Sequence, residues 1–263
     1  MPYITGARLK VKRASKHLNE LERKVRAFLK RHPDRFTRQL DPDDFNYFIY
    51  EIPPNPAPPN TFGPVLGDVV HNLRSALDHI VWNLALLNLQ GSGREPYKLT
   101  AFPILLDATN DNVKRFERLC KDVLPAAIPD IEELQPYHRE DASKHELAIL
   151  DALWNADKHR VNTTIPGRQY VPRFDGPGGW VHALHDGTRL IRVPVSSNPE
   201  QNLEPYIRSE VLFEIPNTGE RVSLELLRRI FDVVSSDVVP RFARFLPEST
   251  GIVERQVGTQ RRE

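Results

Sequence analysis

The feature of the sequence that most constrains the fold is an amphipathic segment between Pro64 and Leu89. Its large aliphatic residues recur at intervals of three and four, the spacing that places side chains on one side of an α-helix. Pro64 suits a first helical turn, where its missing N–H has no partner to lose, and the Gly91-Ser92-Gly93 segment suits the end. We therefore predict a core helix over residues 64–89. Its apolar side comprises Val65, Leu66, Val69, Val70, Leu73, Leu77, Ile80, Val81 and Leu84.

A second long helix is predicted from Gly6 to His32, where Pro33 ends it. Its apolar residues also alternate at spacings of three and four. They form a narrow seam, which is typical of helices that pack in a bundle or a coiled-coil contact. The residues of this seam are Val11, Ala14, Leu18, Leu21, Val25 and Phe28.

Basic side chains are concentrated in this first helix. Between Arg8 and Arg31 there are ten lysines and arginines and only two acids, Glu20 and Glu22. The net charge of the whole chain is +1, so any attraction to a polyanion must be local. Two interpretations stay open, namely a solvated helix face and a surface that contacts a polyanion.

Two stretches have the residue pattern of β-strands. Residues 45–52 are aromatic and β-branched, and a proline-rich connection from Pro53 to Pro59 follows them. Residues 160–215 alternate between apolar and polar side chains around glycine and proline turns, which indicates a small antiparallel sheet. The predicted strands of that sheet are 161–165, 180–184, 190–193 and 207–213.

The rest of the chain has helical patterns. Ser223 is the expected N-cap of the last helix, and Pro240 is expected to kink it. The predicted fold class is therefore α+β, mainly α: a bundle of about four long helices with a small antiparallel β-sheet inserted before the C-terminal helix. The additional helices are predicted near 110–123 and 128–135, over 142–158 and over 224–246.

We predict a single α+β domain over residues 1–250, because the β-rich insertion at 160–215 is short for a separate core. The helical core is assigned to residues 6–158 and 222–246. Residues 251–263 are polar and are predicted to form a flexible tail.

Composition limits the class of protein further. Hydrophobic residues make up 40% and charged residues 27% of the chain, as in ordinary globular proteins. No run of about 18 apolar residues occurs and residues 1–8 lack a secretory pattern, so neither a membrane span nor a signal is expected. The single cysteine, Cys120, excludes an intramolecular disulfide and a multi-cysteine zinc cluster. The expected location is the cytoplasm, and no cofactor is expected.

One side of the predicted helix 64–89 is polar, and it carries the residues most suited to chemistry. A histidine titrates near neutrality and can move a proton from a ribose 2′-hydroxyl or to a leaving oxygen. An arginine stays charged and can stabilise the charge that grows on a phosphate. We therefore predict Arg74 and His79 as a catalytic pair for metal-independent RNA cleavage, with Arg74 reaching toward the sector of the histidine. At about 100° per residue, that sector comprises Asp68, Asn72, Ser75 and His79.

Three neighbours of this pair are predicted to support it. Asn72 and Ser75 can hold the substrate or fix the imidazole tautomer, and Asp78 can pair with Arg74. A second cluster, Lys158-His159-Arg160, ends the predicted third long helix. Cations at a helix C-terminus are favoured by the helix dipole alone, and a role in phosphate binding is the alternative interpretation.

The segment Arg74-Ser75-Ala76-Leu77-Asp78-His79 resembles the Arg-x4–6-His signature of the HEPN superfamily. In that family a polar residue usually follows the arginine, as Ser75 does here, and the signature lies on an amphipathic helix of a bundle. The resemblance implies a bundle fold, homodimers that face two motifs across one cleft, and often metal-independent ribonuclease activity, in proteins common in toxin–antitoxin and antiphage systems. Segments 72–79 and 155–160 are also similar to segments of bacterial proteins of unknown function.

Other functions fit the same residues. In a non-catalytic scaffold or binding protein, Arg74, Asp78 and His79 would satisfy one another in a buried network that locks helix packing. A metal site would need the histidines to converge with Asp78, but no HExxH or comparably tight spacing supports it. A serine hydrolase and a nucleotide-binding loop are not supported, because neither a Gly-x-Ser-x-Gly turn nor a glycine loop before a helix is present. The histidines considered as metal ligands are His71, His79, His138, His145 and His159.

Overall fold

The computed structural model of the protein describes residues 2–33, 35, 37–54, 56–159, 166–172, 180–183, 188–195, 207–215 and 218–248. Its helices are α1 (Thr5–Arg31), α2 (Phe62–Asn88), α3 (Asn110–Leu119), α4 (Ile128–Glu133), α5 (Glu146–His159), α6 (Leu224–Asp232) and α7 (Val239–Phe242). Its strands are β1 (Thr37–Leu40), β2 (Tyr47–Ile52), β3 (Pro166–Pro172), β4 (Trp180–Ala183), β5 (Arg189–Pro194), β6 (Ile207–Glu214) and β7 (Arg221–Val222).

The chain forms two compact units. The first comprises Met1–His17, Gly67–Lys158 and Arg228–Glu263, and the second comprises Leu18–Leu66 and His159–Leu227. The first is helical in its described part, and the second contains all the described strands.

In the first unit, α1 and α2 run antiparallel. The backbone of Gly6 approaches the ring of His79, and His17 Nδ1 lies 3.9 Å from Asp68 Oδ2. Gly6 and His17 are as far apart along α1 as His79 and Asp68 are along α2, but the two pairs follow opposite orders along the chain. This pairing brings the polar sector of α2 against the start of α1.

The apolar side predicted for α2 is buried along its whole length. All nine predicted residues are at most 8% exposed, and Leu73, Leu77 and Ile80 are fully buried. Burial of side chains of this size contributes about 1.5–3 kcal/mol each, so this face anchors the helix and fixes the direction of its polar residues.

The C-terminal segment departs from a regular helix. Ser223 caps α6, since the N–H of Leu226 donates to its Oγ at 3.1 Å, as predicted. A π-helical turn over Val233–Val238 separates α6 from α7, and Pro240 lies in the first turn of α7. Proline lacks an N–H and its ring clashes with the carbonyl four residues earlier, so the wider turn before it accommodates the ring. The predicted interruption at Pro240 is therefore a π-helical turn.

The second unit contains two antiparallel sheets. One has the strand order β1-β2-β5-β4 and the other β3-β6-β7. In the first sheet Tyr50 of β2 faces Ile191 of β5. Arg192 of β5 contacts both ends of the β1–β2 connection. Its Nε donates to Asp41 Oδ2 at 2.6 Å, and its guanidinium carbon lies 3.7 Å from the centre of the Tyr47 ring.

The predicted fold class is confirmed: the chain is α+β and mainly helical, with four long helical segments and antiparallel strands before the last one. Four of the five predicted strands appear: 45–52 as β2, 180–184 as β4, 190–193 as β5 and 207–213 as β6. The fifth, at 161–165, lies outside the described residues. The sequence did not predict that β2 pairs with the later strand β5. The predicted tail at 251–263 also lies outside the described residues.

Candidate functional site

The candidate site lies in the first unit, where the middle of α2 meets α5 and the segment around Phe102. Arg74 is the centre of this site, and its side chain is only 7% exposed. It projects from the edge of the apolar side of α2, so burial of that side carries the guanidinium into the protein. A buried guanidinium stays charged and needs acceptors for its donors.

The acceptors around Arg74 come from three parts of the chain. Nη1 donates to Asp78 Oδ1 at 2.5 Å, one turn further along α2, and Nη2 donates to the carbonyl oxygen of Phe102 at 2.9 Å. Nε lies 3.5 Å from Asp151 Oδ1 on α5, which is an ion-pair distance without a hydrogen bond. The guanidinium carbon lies 5.2 Å from the centre of the Trp154 ring, within the range of a cation–π contact. We call Arg74, Asp78, Phe102, Asp151 and Trp154 the Arg74 network.

The acidic members of this network are held by further hydrogen bonds. Asp78 Oδ1 also accepts the N–H of Phe102 at 3.0 Å, so each member of the ion pair binds one backbone group of Phe102. Asp151 Oδ2 accepts the side-chain amide of Asn155 at 2.9 Å. Burial raises the pKa of Asp151, and the charge of Arg74 opposes that rise. The network therefore ties α2 both to α5 and to the Phe102 segment.

His79 has a different set of neighbours. Five residues along an α-helix correspond to a rotation of roughly 140°, so His79 and Arg74 leave α2 in different directions. The ring of His79 lies over Gly6 of α1, where a Cβ would come within 2.9 Å of its Nδ1. Partial burial lowers the pKa of His79, Lys10 lowers it further, and Asp78 opposes both effects. The imidazole is therefore neutral near pH 7.

The expected reach of Arg74 toward the sector of His79 is not observed. The guanidinium turns instead to Asp78, Asp151 and Phe102. The physical reason is that a charge carried into the protein by the apolar face needs nearby carboxylates, and Asp78 and Asp151 provide them. The predicted pairing of Asp78 with Arg74 is confirmed.

The two residues predicted to support catalysis make local contacts. Asn72 is buried and its side-chain amide donates to the carbonyl oxygen of Asp68 at 2.7 Å. Ser75 Oγ lies 3.5 Å from Nε2 of His71, a distance at the limit of a hydrogen bond. Neither of these contacts involves the ring of His79.

The second predicted cluster lies at the edge of what the structure describes. Lys158 and His159 are the last two residues of α5, in agreement with the prediction that they end this helix. Their side chains, and the whole of Arg160, lie outside the described residues.

Among the residues that the structure describes, no group of three or more histidine, cysteine, aspartate or glutamate side chains is placed to hold a metal ion. None of the described helices combines the length and apolarity needed to cross a membrane.

Sequence reasoning missed several members of this site. Asp151 lies among Leu147, Leu150 and Leu153, which are buried on α5. A carboxylate in such an apolar stripe indicates a buried cationic partner, so the sequence contained this signal. The approach of Gly6 to His79 has no comparable signal, because it depends on how α1 packs against α2.

The chemical capacity of the site follows from these contacts. Each nitrogen of the guanidinium already faces an oxygen of Asp78, Asp151 or Phe102. A phosphate would reach Arg74 only by displacing its carboxylates.

The chain matches no protein family, no curated protein and no solved structure with which it was compared.

Proposed function

We propose that this protein is a non-catalytic helical scaffold or binding protein in which the Arg74 network locks α2 to α5. The observation that carries this proposal is the burial of the Arg74 side chain, which is 7% exposed and whose guanidinium is surrounded by acceptors from its own chain. Catalytic stabilisation of a phosphate needs donors that are aimed at the substrate and are free to bind it. Arg74 instead supplies a donor to the buried carbonyl oxygen of Phe102 and a cation to Asp78 and Asp151.

A HEPN-like, metal-independent endoribonuclease is the second candidate. One observation favours it: His79 is exposed on α2 and its pKa is lowered, so near neutral pH it is in the form that can accept a proton from a 2′-hydroxyl. An RNA substrate, a homodimer and a role in a toxin–antitoxin or antiphage system belong to this candidate. A cytoplasmic location fits both candidates.

One experiment separates the two. The purified protein is incubated with labelled RNA in EDTA, alongside His79→Ala and the matched control His71→Ala, which removes another exposed histidine from α2. The scaffold proposal predicts no RNA cleavage above the level of a protein-free reaction in any sample. Cleavage that His79→Ala abolishes and His71→Ala leaves intact would replace it with the ribonuclease candidate.

A further inference from the structure

The start of α1 presents a basic face away from the protein core. This face consists of Arg8, Lys12, Arg13 and Lys16, which are all exposed, whereas Ala7 and Ala14 are buried. Residues four apart on an α-helix differ in direction by about 40°, so Arg8, Lys12 and Lys16 form a row that winds around the helix by about 80°. At about 1.5 Å per residue, the row is roughly 12 Å long.

The charges of this face are only partly neutralised. Arg8 pairs with Glu248 near the C-terminal end of the first unit. Within the described part of the chain, Lys12, Arg13 and Lys16 have no carboxylate at ion-pair distance. The helix has no acidic residue before Glu20, and like charges four residues apart disfavour an isolated helix. The start of α1 therefore retains a repulsion between like charges that an anionic partner would relieve.

The side chains of the face indicate which anion fits. None of residues 8–16 is aromatic, so the face lacks the stacking surface by which proteins hold single-stranded nucleic acid. Among residues 8–16, Leu9 is the one large apolar side chain that is exposed. A helix that binds a membrane surface needs a whole apolar face to insert, which these residues do not provide. A duplex backbone offers a dense row of phosphates and requires neither feature.

The shape of a helix distinguishes between duplexes. The major groove of B-form DNA is about 12 Å wide and admits a helix, whereas the major groove of A-form RNA is deep and narrow. The row from Arg8 to Lys16 has about the length needed to reach phosphates on both sides of the DNA groove.

We propose that the basic face of α1 binds the phosphate backbone of double-stranded DNA without reading its sequence. This inference names the partner of the binding protein proposed above and rests on that proposed function. Lys12, Arg13 and Lys16 each contact one phosphate, and Arg8 exchanges its exposed pairing with Glu248 for a fourth. Affinity comes from the release of the counterions that those phosphates hold.

The test measures binding of the full chain to a labelled 20-base-pair DNA duplex by fluorescence anisotropy, at salt concentrations from 50 to 200 mM. Four phosphate contacts predict a slope of log K against log salt of about −3.6, which is roughly a 150-fold loss of affinity over this range. The triple variant Lys12→Gln, Arg13→Gln, Lys16→Gln should bind weakly, with a slope of about −0.9 and a loss of only about 3-fold.

A matched control removes the same charge from other exposed positions of the first unit, through Lys98→Gln, Lys114→Gln and Arg118→Gln. This control should keep the slope and affinity of the unmodified protein, and circular dichroism should show native helix content in both variants. Equal losses in the two triple variants would overturn the proposal, since they would reflect net charge alone. Absence of binding to the duplex at 50 mM salt would also overturn it.

Further measurements distinguish DNA from other anionic partners, and this inference from the proposed scaffold function. Tighter binding to an RNA duplex of the same sequence, or to vesicles containing phosphatidylserine, would overturn the assignment to DNA. DNA binding together with RNA cleavage would refute the scaffold function and leave this inference standing. If the protein neither binds DNA nor cleaves RNA, this inference is refuted and the scaffold function still stands.

Discussion

Replacement of Arg74 by methionine should destabilise the fold. The variant leaves the buried carbonyl of Phe102 without its donor, which costs about 1–3 kcal/mol. It also removes the cation–π contact with Trp154, worth about 0.5–1 kcal/mol, and leaves Asp78 and Asp151 without their cation. Because the side chains of Asp78 and Asp151 are 35% and 22% exposed, water partly replaces their lost cation, and together these losses amount to about 2–4 kcal/mol.

The assay is urea unfolding followed by circular dichroism, with thermal unfolding beside it. For a chain of this size we expect the melting temperature to fall by about 2 °C for each kcal/mol, and hence by roughly 4–8 °C. Arg74→Lys keeps the charge but loses the planar fork, so it should not restore stability. His71→Ala, at an exposed position of the same helix, should change stability by less than about 0.5 kcal/mol. A loss below about 1 kcal/mol in Arg74→Met would refute this reasoning, because exposed ion pairs give values of that size.

Three further predictions concern other buried groups. At the start of α5, Nδ1 of His145 accepts the N–H of Leu147, and burial lowers the pKa of His145. The contribution of His145 to stability should therefore be full above the unfolded pKa of about 6.5 and should decline as the pH falls below it. His145→Asn, which can cap the helix without titrating, should flatten this dependence in urea midpoints measured from pH 7.5 to 5. Gly6→Ala should cost about 1–3 kcal/mol, because its Cβ would meet the ring of His79, and adding His79→Ala should recover most of that loss; a loss that persists in the double variant would contradict the contact. Burial raises the pKa of Cys120 to about 12, so its thiol should react with a disulfide reagent such as DTNB only in urea, and a fast reaction of the native protein would disprove its burial.

The long helices were predictable because each buries a continuous apolar side. The period of three and four residues along α2 identified nine large residues of its buried face and missed Phe62, which lies before the predicted start of the helix. Ser223 was recognisable as a cap for a similar reason, since the signal lies within a few residues of its effect. Local chemistry was enough in both cases.

The sheets were harder to predict because their pairing is not local. Thr37–Leu40 of β1 is exposed along its whole length and has no alternating apolar pattern. It becomes a strand by pairing with β2, which in turn pairs with the distant β5. A short strand of this kind depends on its partners more than on its own residues.

The candidate site shows the same limit for side chains. The positions of Arg74 and His79 on one helix were predictable, but the direction of the guanidinium was not. That direction depends on Asp151, which is 77 residues away in sequence, and on the backbone of Phe102. A spacing along one helix cannot show which charges another helix supplies.

The most direct test of the Arg74 network is a double-mutant cycle between Arg74 and Asp151. Free energies of unfolding would be measured for the unmodified protein, Arg74→Met, Asp151→Asn and the double variant. Because the two side chains join different helices, a coupling energy between about 0.5 and 3 kcal/mol is predicted. Losses that add to within about 0.3 kcal/mol would contradict the account, since they would mean that Arg74 does not hold α2 to α5.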